Sequence, residues 1–170
     1  MEQYTLIGHP LGHSMSPFIH ERLFAMAGRK AEYTLTDIAP EHLLEKEPFL
    51  RSLQGFNITI PHKMAVIPMV DRLDESARRY DSVNCVANVD GKLVGYNTDC
   101  DGFTMSVKDY PMDGKVLLIG CGGVGRMIAT EALRSGADLT IGIIRRIGSW
   151  WRPSFRRQNS TCRMPKCSMP

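Results

Sequence analysis

The chain has 170 residues, 43% of them hydrophobic, and a net charge of +3, so it can form one full domain or one domain and part of another. No stretch approaches the roughly 18 consecutive apolar residues of a membrane helix, and the N-terminus lacks the pattern of a signal peptide. Five cysteines, an odd number, argue against a disulfide framework, and no metal-binding motif occurs. We expect a cytoplasmic protein with no metal and no membrane partner.

Strands and helices alternate along the first 110 residues. In chain order we predict a strand at 4–8, a helix at 16–28, a strand at 32–38, a helix at 40–53, a strand at 55–60, a helix opened by Pro61, a helix at 74–80 and two hairpin strands within 83–98. Ser16 and Pro17 suit the N-cap and first turn of the first helix, whose buried face would carry Phe18 and Leu23. Asp90-Gly91 between two alternating segments indicates a tight hairpin turn.

The alternation continues from residue 99 to residue 144. A helix at 99–110, a turn at 111–114, a continuous apolar strand at 115–120, an amphipathic helix that closes at Gly136 and a strand at 137–144 follow in order. This pattern predicts an α/β fold with a mainly parallel sheet. We place one domain at 1–110 and the start of a second at 111–144.

A glycine-rich turn, GCGGVG at 120–125, lies between the predicted strand at 115–120 and the helix after it. Gly120 would allow the tight turn, Gly122 would let backbone amides approach a pyrophosphate, and Gly125 would let the helix pack close to the strand. The same glycines would also suit a turn that only packs. The strand and helix on either side favour the first β-α-β unit of a dinucleotide-binding domain.

The periodic pattern stops after Ile144. Residues 145–170 contain seven basic residues and no acidic one, and Arg145 and Arg146 stand where an NAD enzyme would carry an acidic residue for the ribose. The two arginines therefore favour the 2′-phosphate of NADP. Composition alone would also suit a nucleic-acid arm. We predict instead a disordered basic tail, foreign to the fold and arising from a truncated or frame-shifted end, with no nucleic-acid partner.

Polar groups gather at the ends of predicted strands. The segments are GHPLGHSMSP (8–17), NITIPHK (57–63), SVN (82–84) and GYNTDCDG (95–102). Because ligands of open parallel sheets bind outside the carboxyl ends of the strands, these groups would suit a small polyhydroxylated acid. Each also has a simpler explanation, such as a helix cap at Ser16, a turn at Asn84 or a solvated Lys63. Their occurrence together favours a binding site.

The strand at 55–60 shows how polar residues would be placed in this site. Phe56, Ile58 and Ile60 would anchor one face in the core, and Asn57 and Thr59 would occupy the opposite face. Pro61 would then turn the chain, so that Lys63 reaches the same cleft.

These motifs resemble the shikimate dehydrogenase family. GHPLGHSMSP, NITIPHK, GYNTDCDG and GCGG follow the family's motifs in order and spacing, over residues 4 to about 143. The family reduces 3-dehydroshikimate to shikimate with NADPH in aromatic amino-acid biosynthesis. The resemblance implies an N-terminal, mainly parallel α/β substrate domain, here followed by an incomplete Rossmann-type domain.

The resemblance also implies a role for each matched residue. The substrate would be bound by Ser14, Ser16, Asn57, Thr59 and Asn84, the catalytic pair would be Lys63 and Asp99, and the NADP pyrophosphate would be held by Gly120, Gly122, Gly123 and Gly125. Within this set the two serines would hold the substrate carboxylate, and Asn84 would bind a ring hydroxyl. A lysine beside an aspartate can donate the proton that accompanies hydride transfer.

The chain departs from the family pattern in three places. Glu21 follows His20 where the family usually has asparagine, and neither the rest of the Rossmann domain nor the family's final helix, which brings a glutamine to the substrate, is found. We therefore expect impaired activity. The alternatives are a quinate/shikimate dehydrogenase that uses NAD and a non-catalytic shikimate-binding fragment. The expected partner is a small-molecule substrate, and a homodimer is left open.

Overall fold

The computed structural model describes residues 1–120, 123–147 and 150–158, with side chains described up to residue 142. The chain divides into two compact units, Met1–Thr98 and Asp99–Pro170. This division comes earlier than the boundary predicted after residue 110. The reason is that the helix at Asp99–Ser106 contacts the later helix at Gly123–Arg134, which assigns it to the second unit.

A six-stranded sheet forms the centre of the first unit. Its strands are β1 (Glu2–Gly8), β2 (Ala31–Asp37), β3 (Gly55–Ile58), β4 (Arg72–Leu73), β5 (Cys85–Val89) and β6 (Lys92–Tyr96), in the order β2-β1-β3-β5-β6-β4. β1 is parallel to β2 and β3, and β4 is parallel to β6, whereas β5 is antiparallel to β3 and β6. The predicted hairpin is confirmed, since Asp90 and Gly91 both have the positive φ that a tight primed turn requires.

The helices of the first unit are α1 (Ser16–Met26), α2 (Glu47–Ser52) and α3 (Glu75–Tyr80), with 3₁₀ helices at Pro40–His42, Leu44–Lys46 and Ile67–Met69. The prediction of a continuous helix over 40–53 is wrong. Pro48 lacks an amide hydrogen and is tolerated only in the first helical turn, so the α-helix begins at Glu47. The helix predicted to open at Pro61 is also wrong, because Pro68 leaves too few residues for one, and turns occupy 61–66.

The core of the first unit lies on one face of its sheet. It contains Ile7, Phe56, Ile58, Val86 and Leu93 from the strands. The predicted alternation therefore holds for Phe56 and Ile58, but Ile60 is 75% exposed because β3 ends at Ile58.

Helix α1 lies against the edge strand β2. It contains no fully buried residue, and Phe18 and Leu23 are about half exposed, so the predicted buried face is wrong. Contact with an edge strand covers only one flank of a helix, which explains why its other apolar side chains stay accessible.

The second unit begins with α4 (Asp99–Ser106) and continues with β7 (Lys115–Ile119), α5 (Gly123–Arg134), β8 (Asp138–Ile147) and β9 (Trp150–Gln158). β7 and β8 are parallel, and α5 packs on both, so the predicted β-α-β unit is confirmed. Small side chains, including Ala129 and Ala132, form the buried side of α5 with Leu139 and Ile141 from β8. None of the helices among the described residues is long and apolar enough to cross a membrane.

The basic tail is partly ordered. The prediction of no regular structure after Ile144 is wrong for residues 145–147, which continue β8, and for residues 150–158, which form β9 antiparallel to it. Pairing through the backbone needs no alternating side-chain pattern, so this strand leaves little sign in the sequence. Pro153, which cannot donate a hydrogen bond, lies on β9 at the edge of the sheet. The rest of the predicted disordered tail, residues 159–170, lies outside the described residues.

Candidate functional site

The two predicted carboxylate-binding serines lie together where α1 begins. The Ser14 hydroxyl donates to the Ser16 hydroxyl at 3.1 Å, and the Ser16 backbone N–H donates to the Ser14 hydroxyl at 3.2 Å. Met15, not Ser16, takes the N-cap position, and no side chain caps the helix. Both serines are half-buried. A pair of hydroxyls at a helix N-terminus, where the backbone carries partial positive charge, suits an anionic group.

The loop that carries these serines is tied to the ends of two strands. The Asp37 carboxylate, at the end of β2, contacts the His9 ring at 2.6 Å and accepts a hydrogen bond from the Leu11 N–H at 2.7 Å. The hydrogen bond from His9, followed by that from Leu11, lowers the pKa of Asp37. On the other side, the His9 N–H donates to the Ile60 carbonyl at 3.0 Å. Residues 9–11, at the start of the serine loop, are therefore bound both to the end of β2 and to the chain after β3.

Asn57 lies at the end of β3 and uses both ends of its side-chain amide. Its Oδ1 accepts a hydrogen bond from the Tyr33 hydroxyl at 2.8 Å, and its Nδ2 donates to the Asn84 carbonyl at 3.4 Å. Two residues on, the Thr59 N–H donates to the Ile7 carbonyl at 2.9 Å, which keeps the chain beside β1 after β3 has ended. The side chains of Asn57 and Thr59 are both half-buried.

Lys63 and Asn84 are brought together through the backbone. The Lys63 carbonyl accepts a hydrogen bond from the N–H of Val83, the residue before Asn84, at 2.8 Å. The Asn84 side chain in turn accepts from the Thr98 N–H at 2.9 Å and donates to the Thr98 hydroxyl at 3.1 Å. The first unit thus contains the predicted catalytic Lys63 and all the predicted substrate-binding residues, Ser14, Ser16, Asn57, Thr59 and Asn84.

Tyr33, on β2, is a residue of this region that sequence reasoning missed. Its phenol is half-buried, and burial is the main cause of its strongly raised pKa, with the nearby Cys85 adding to the rise. The His20 ring stacks on the Tyr33 ring at 4.1 Å with an interplanar angle of 9°. In the sequence, a tyrosine within a strand indicates only packing. The contacts of Tyr33 depend on the order of the strands, which only the structure gives.

The predicted cofactor residues lie in the second unit. Gly120 has a φ of +90°, as a tight turn requires, and a Cβ at Gly125 would lie 2.8 Å from the Gly120 carbonyl oxygen, so only glycine allows this approach of helix to strand. Gly123 begins α5, and Gly122 lies outside the described residues. The geometry expected of Gly120 and Gly125 is confirmed, whereas their contact with a phosphate stays a prediction.

Two further predictions concern the second unit. Asp99 is the first residue of α4 and belongs to a different unit from Lys63, so the proposed pairing of their side chains stays a prediction. Arg145 and Arg146 lie within β8, and their role with a 2′-phosphate stays a prediction as well. Among the residues that the structure describes, no group of three His, Cys, Asp or Glu side chains could hold a metal ion.

Known proteins are similar to this chain both in sequence and in fold. Residues 6–86 match the family model of the shikimate dehydrogenase substrate-binding domain. The shikimate dehydrogenase (NADP(+)) of Geobacillus kaustophilus is 43% identical over 141 residues, which cover 79% of this chain and 51% of that protein. Over the matched residues, the chain belongs to the shikimate dehydrogenase family.

Solved structures of similar proteins include one with both ligands. Shikimate 5-dehydrogenase of Thermus thermophilus, in complex with NADP(H) and shikimate, has a TM-score of 0.73 and 32% identity, covering 82% of this chain and 54% of that chain. The 5-ketofructose reductase of a Gluconobacter strain has a TM-score of 0.73 and 34% identity, with coverage of 82% and 52%. This member of the shikimate dehydrogenase family spans about half the length of the curated relatives it matches.

Proposed function

We propose that this chain carries the shikimate-binding half of an NADP-dependent shikimate dehydrogenase, which reduces 3-dehydroshikimate to shikimate in aromatic amino-acid biosynthesis. The observation that carries the proposal is that one compact unit contains both the hydrogen-bonded pair Ser14 and Ser16 and the hydrogen-bonded pair Asn57 and Asn84. The Thermus relative in complex with shikimate and NADP(H) supports it.

The polar groups of the first unit match the chemistry of a hydroxylated acid. The hydroxyls of Ser14 and Ser16 can donate to a carboxylate, and hydrogen bonds to an ionised group are the stronger ones. Asn57 and Asn84 each carry a donor and an acceptor, which lets them pair with ring hydroxyls in either direction. Lys63 adds a cation in the turns that follow β3. The half-buried positions of these side chains would let a ligand displace water from them.

Lys63 would move the proton of the reaction. Nicotinamide, when bound, supplies or accepts the hydride at the carbon that bears the reacting oxygen. The Lys63 ammonium would donate a proton to that oxygen during reduction and take it back during oxidation, with the Asp99 carboxylate orienting it. The turn at Gly120 and the close approach at Gly125 fit a dinucleotide pyrophosphate, whose charge the N-terminus of α5 would stabilise.

Two measurements on the purified chain test the proposal. We expect saturable shikimate binding in a calorimetric titration, with the methyl ester of shikimate binding much more weakly because it lacks the carboxylate charge. Mixing the chain with shikimate and NADP, while following absorbance at 340 nm, then measures turnover. Quinate, NAD and 5-ketofructose as alternative reactants test the other activities known for similar proteins or expected from the sequence.

The variants Lys63→Ala and Ser16→Ala separate catalysis from substrate binding. Lys63→Ala should abolish turnover while leaving the shikimate dissociation constant within a few fold, and Ser16→Ala should weaken binding on the order of tenfold or more. Absence of shikimate binding by the unmodified chain would contradict the proposal. Binding without turnover would favour the non-catalytic shikimate-binding module. A cytoplasmic location and a homodimer remain predictions.

A further inference from the structure

The Tyr33 hydroxyl donates its single proton to Asn57 Oδ1 at 2.8 Å. Asn57 Nδ2 donates in turn to the Asn84 carbonyl at 3.4 Å. Both bonds therefore run in one direction, from Tyr33 through Asn57 to the backbone of Asn84. Hydrogen bonds arranged in such a series polarise and strengthen one another.

This arrangement fixes the orientation of the Asn57 amide. A phenol proton can be accepted by the amide oxygen but not by the amide nitrogen, so Tyr33 keeps Oδ1 on its own side. The Nδ2 group must then point toward Asn84. Without the phenol hydroxyl, a half turn of the amide would exchange its donor and its acceptor. An amide in the wrong orientation would present the wrong partner to a ligand hydroxyl.

Helix α1 and the sheet together hold the Tyr33 ring. His20 of α1 stacks on the ring, with 4.1 Å between the two ring centroids. Register places Tyr33 opposite Tyr4 and places Asn57 opposite Leu6, two residues along β1, so Tyr33 and Asn57 share one face of the sheet. Burial raises the pKa of Tyr33, so the phenol keeps the proton that it donates.

We propose that Tyr33 is a positioning residue, which holds the Asn57 amide in the orientation that a ring hydroxyl of the ligand needs. The proposal rests on the proposed function, since the ligand is shikimate. Tyr33 acts through Asn57 and does not touch the reacting atoms. It affects specificity, because a ligand that lacks the ring hydroxyl gains nothing from the orientation of Asn57.

Tyr33→Phe removes only the hydroxyl and keeps the stacking ring. We expect the dissociation constant of shikimate to rise by about threefold to tenfold, as loss of one hydrogen bond would produce. Tyr4→Phe is the matched control. Tyr4 lies on the same face in register with Tyr33, but its hydroxyl contacts Glu2 at 3.3 Å instead of Asn57. Its affinity for shikimate should be unchanged, and equal affinities of the two variants would overturn the proposal.

A double-mutant cycle with Asn57→Ala tests the coupling itself. If Tyr33 acts through Asn57, Tyr33→Phe should weaken shikimate binding much less in the Asn57→Ala background than in the unmodified chain. Strictly additive effects would overturn the coupling. The ratio of affinities for shikimate and its methyl ester, which differ in the carboxylate, should fall in Ser16→Ala and stay constant in Tyr33→Phe. A fall of this ratio in Tyr33→Phe would place its effect at the carboxylate and overturn the proposal.

The orientation of Asn57 can be measured without any ligand. The side-chain amide resonances of Asn57 in ¹⁵N NMR spectra should shift in Tyr33→Phe and remain in place in Tyr4→Phe. Unchanged Asn57 resonances in both variants would overturn the positioning role. If the unmodified chain does not bind shikimate, the proposed function fails, yet these spectra still decide whether Tyr33 orients Asn57. The two failures are therefore distinguishable.

Discussion

Asp37 shows how one carboxylate can organise a binding loop. It lies at the exposed end of β2 and holds the loop before Ser14 through the His9 ring and the Leu11 N–H. These hydrogen bonds lower the pKa of Asp37 below the ordinary value of 3.8. A carboxyl whose pKa is lower in the folded state stabilises that state above its ordinary pKa. The contribution is then lost as pH falls through the lower, folded value.

We therefore predict that Asp37→Asn loosens the serine loop at neutral pH. The Leu11 amide should exchange with solvent faster, and shikimate should bind a few fold more weakly, because the asparagine keeps the shape but not the charge. The difference in melting temperature from the unmodified chain should shrink as pH falls below 3.8. Asp90→Asn, at the exposed hairpin turn, is the control. A Leu11 exchange rate equal to that of the unmodified chain would contradict the prediction.

The backbone of the neighbouring strand requires a glycine at position 55. A Cβ at this position would lie 2.7 Å from the carbonyl oxygen of Val86 on the paired strand β5. Gly55→Ala must push β3 away from β5, and we expect it to lower the free energy of unfolding by about 1–3 kcal/mol. Gly12→Ala has open space around its Cβ and should change stability by less than about 0.5 kcal/mol. Denaturant unfolding of the two variants measures the difference, and similar midpoints would refute the close approach.

At the scale of the elements, the sequence predicted those with a local signal. Alternation located β1, β2 and β3, and Asp90-Gly91 located the hairpin, because both signals depend on neighbouring residues alone. β4 was missed because a strand of two residues has no period. The buried face predicted for α1 was wrong because helix periodicity does not say how much of a helix a sheet will cover.

The candidate site divides in the same way. Asn57 and Asn84 could be predicted because they lie within or next to strands, and Ser14 because it precedes a helix start, and all three features follow from the local pattern. Tyr33 could not, because its contact with Asn57 crosses β1 and depends on the order of three strands. Hydrogen bonds over such distances along the chain leave no local trace in the sequence.

The pairing of β8 with β9 predicts that the tail supports the second unit. Removing residues 148–170 would leave one edge of β8 unpaired, and unpaired edges promote association between chains. We expect this shortened chain to unfold at a lower temperature and to aggregate more in light scattering. A chain that ends at Gln158 keeps β9 and is the matched control. Equal stability of the two shortened chains would show that β9 contributes nothing.

At the scale of the whole molecule, two cores are built from separate parts of the sequence. The larger core draws on residues from Ile7 to Leu93, and the smaller one on residues from Ala129 to Ile141, so each unit contains its own apolar centre. The hydrogen bond between Ser14 and Ser16 and the one between Asn57 and Asn84 both lie within the first unit. Binding of the substrate and reaction with the cofactor can therefore be tested apart.

We predict that residues 1–98 fold alone and bind shikimate within about threefold of the affinity of the full chain, since this unit has its own apolar core and contains the candidate substrate-binding residues. Cooperative unfolding and a calorimetric titration of this fragment check the prediction. Asp99→Asn in the full chain is the complementary variant. It should leave binding nearly unchanged but reduce any turnover, because Asp99 lies outside the fragment and is assigned to orient Lys63. If the fragment folds but does not bind shikimate, recognition requires groups from the second unit, and the assignment of substrate binding to Ser14, Ser16, Asn57 and Asn84 alone is wrong.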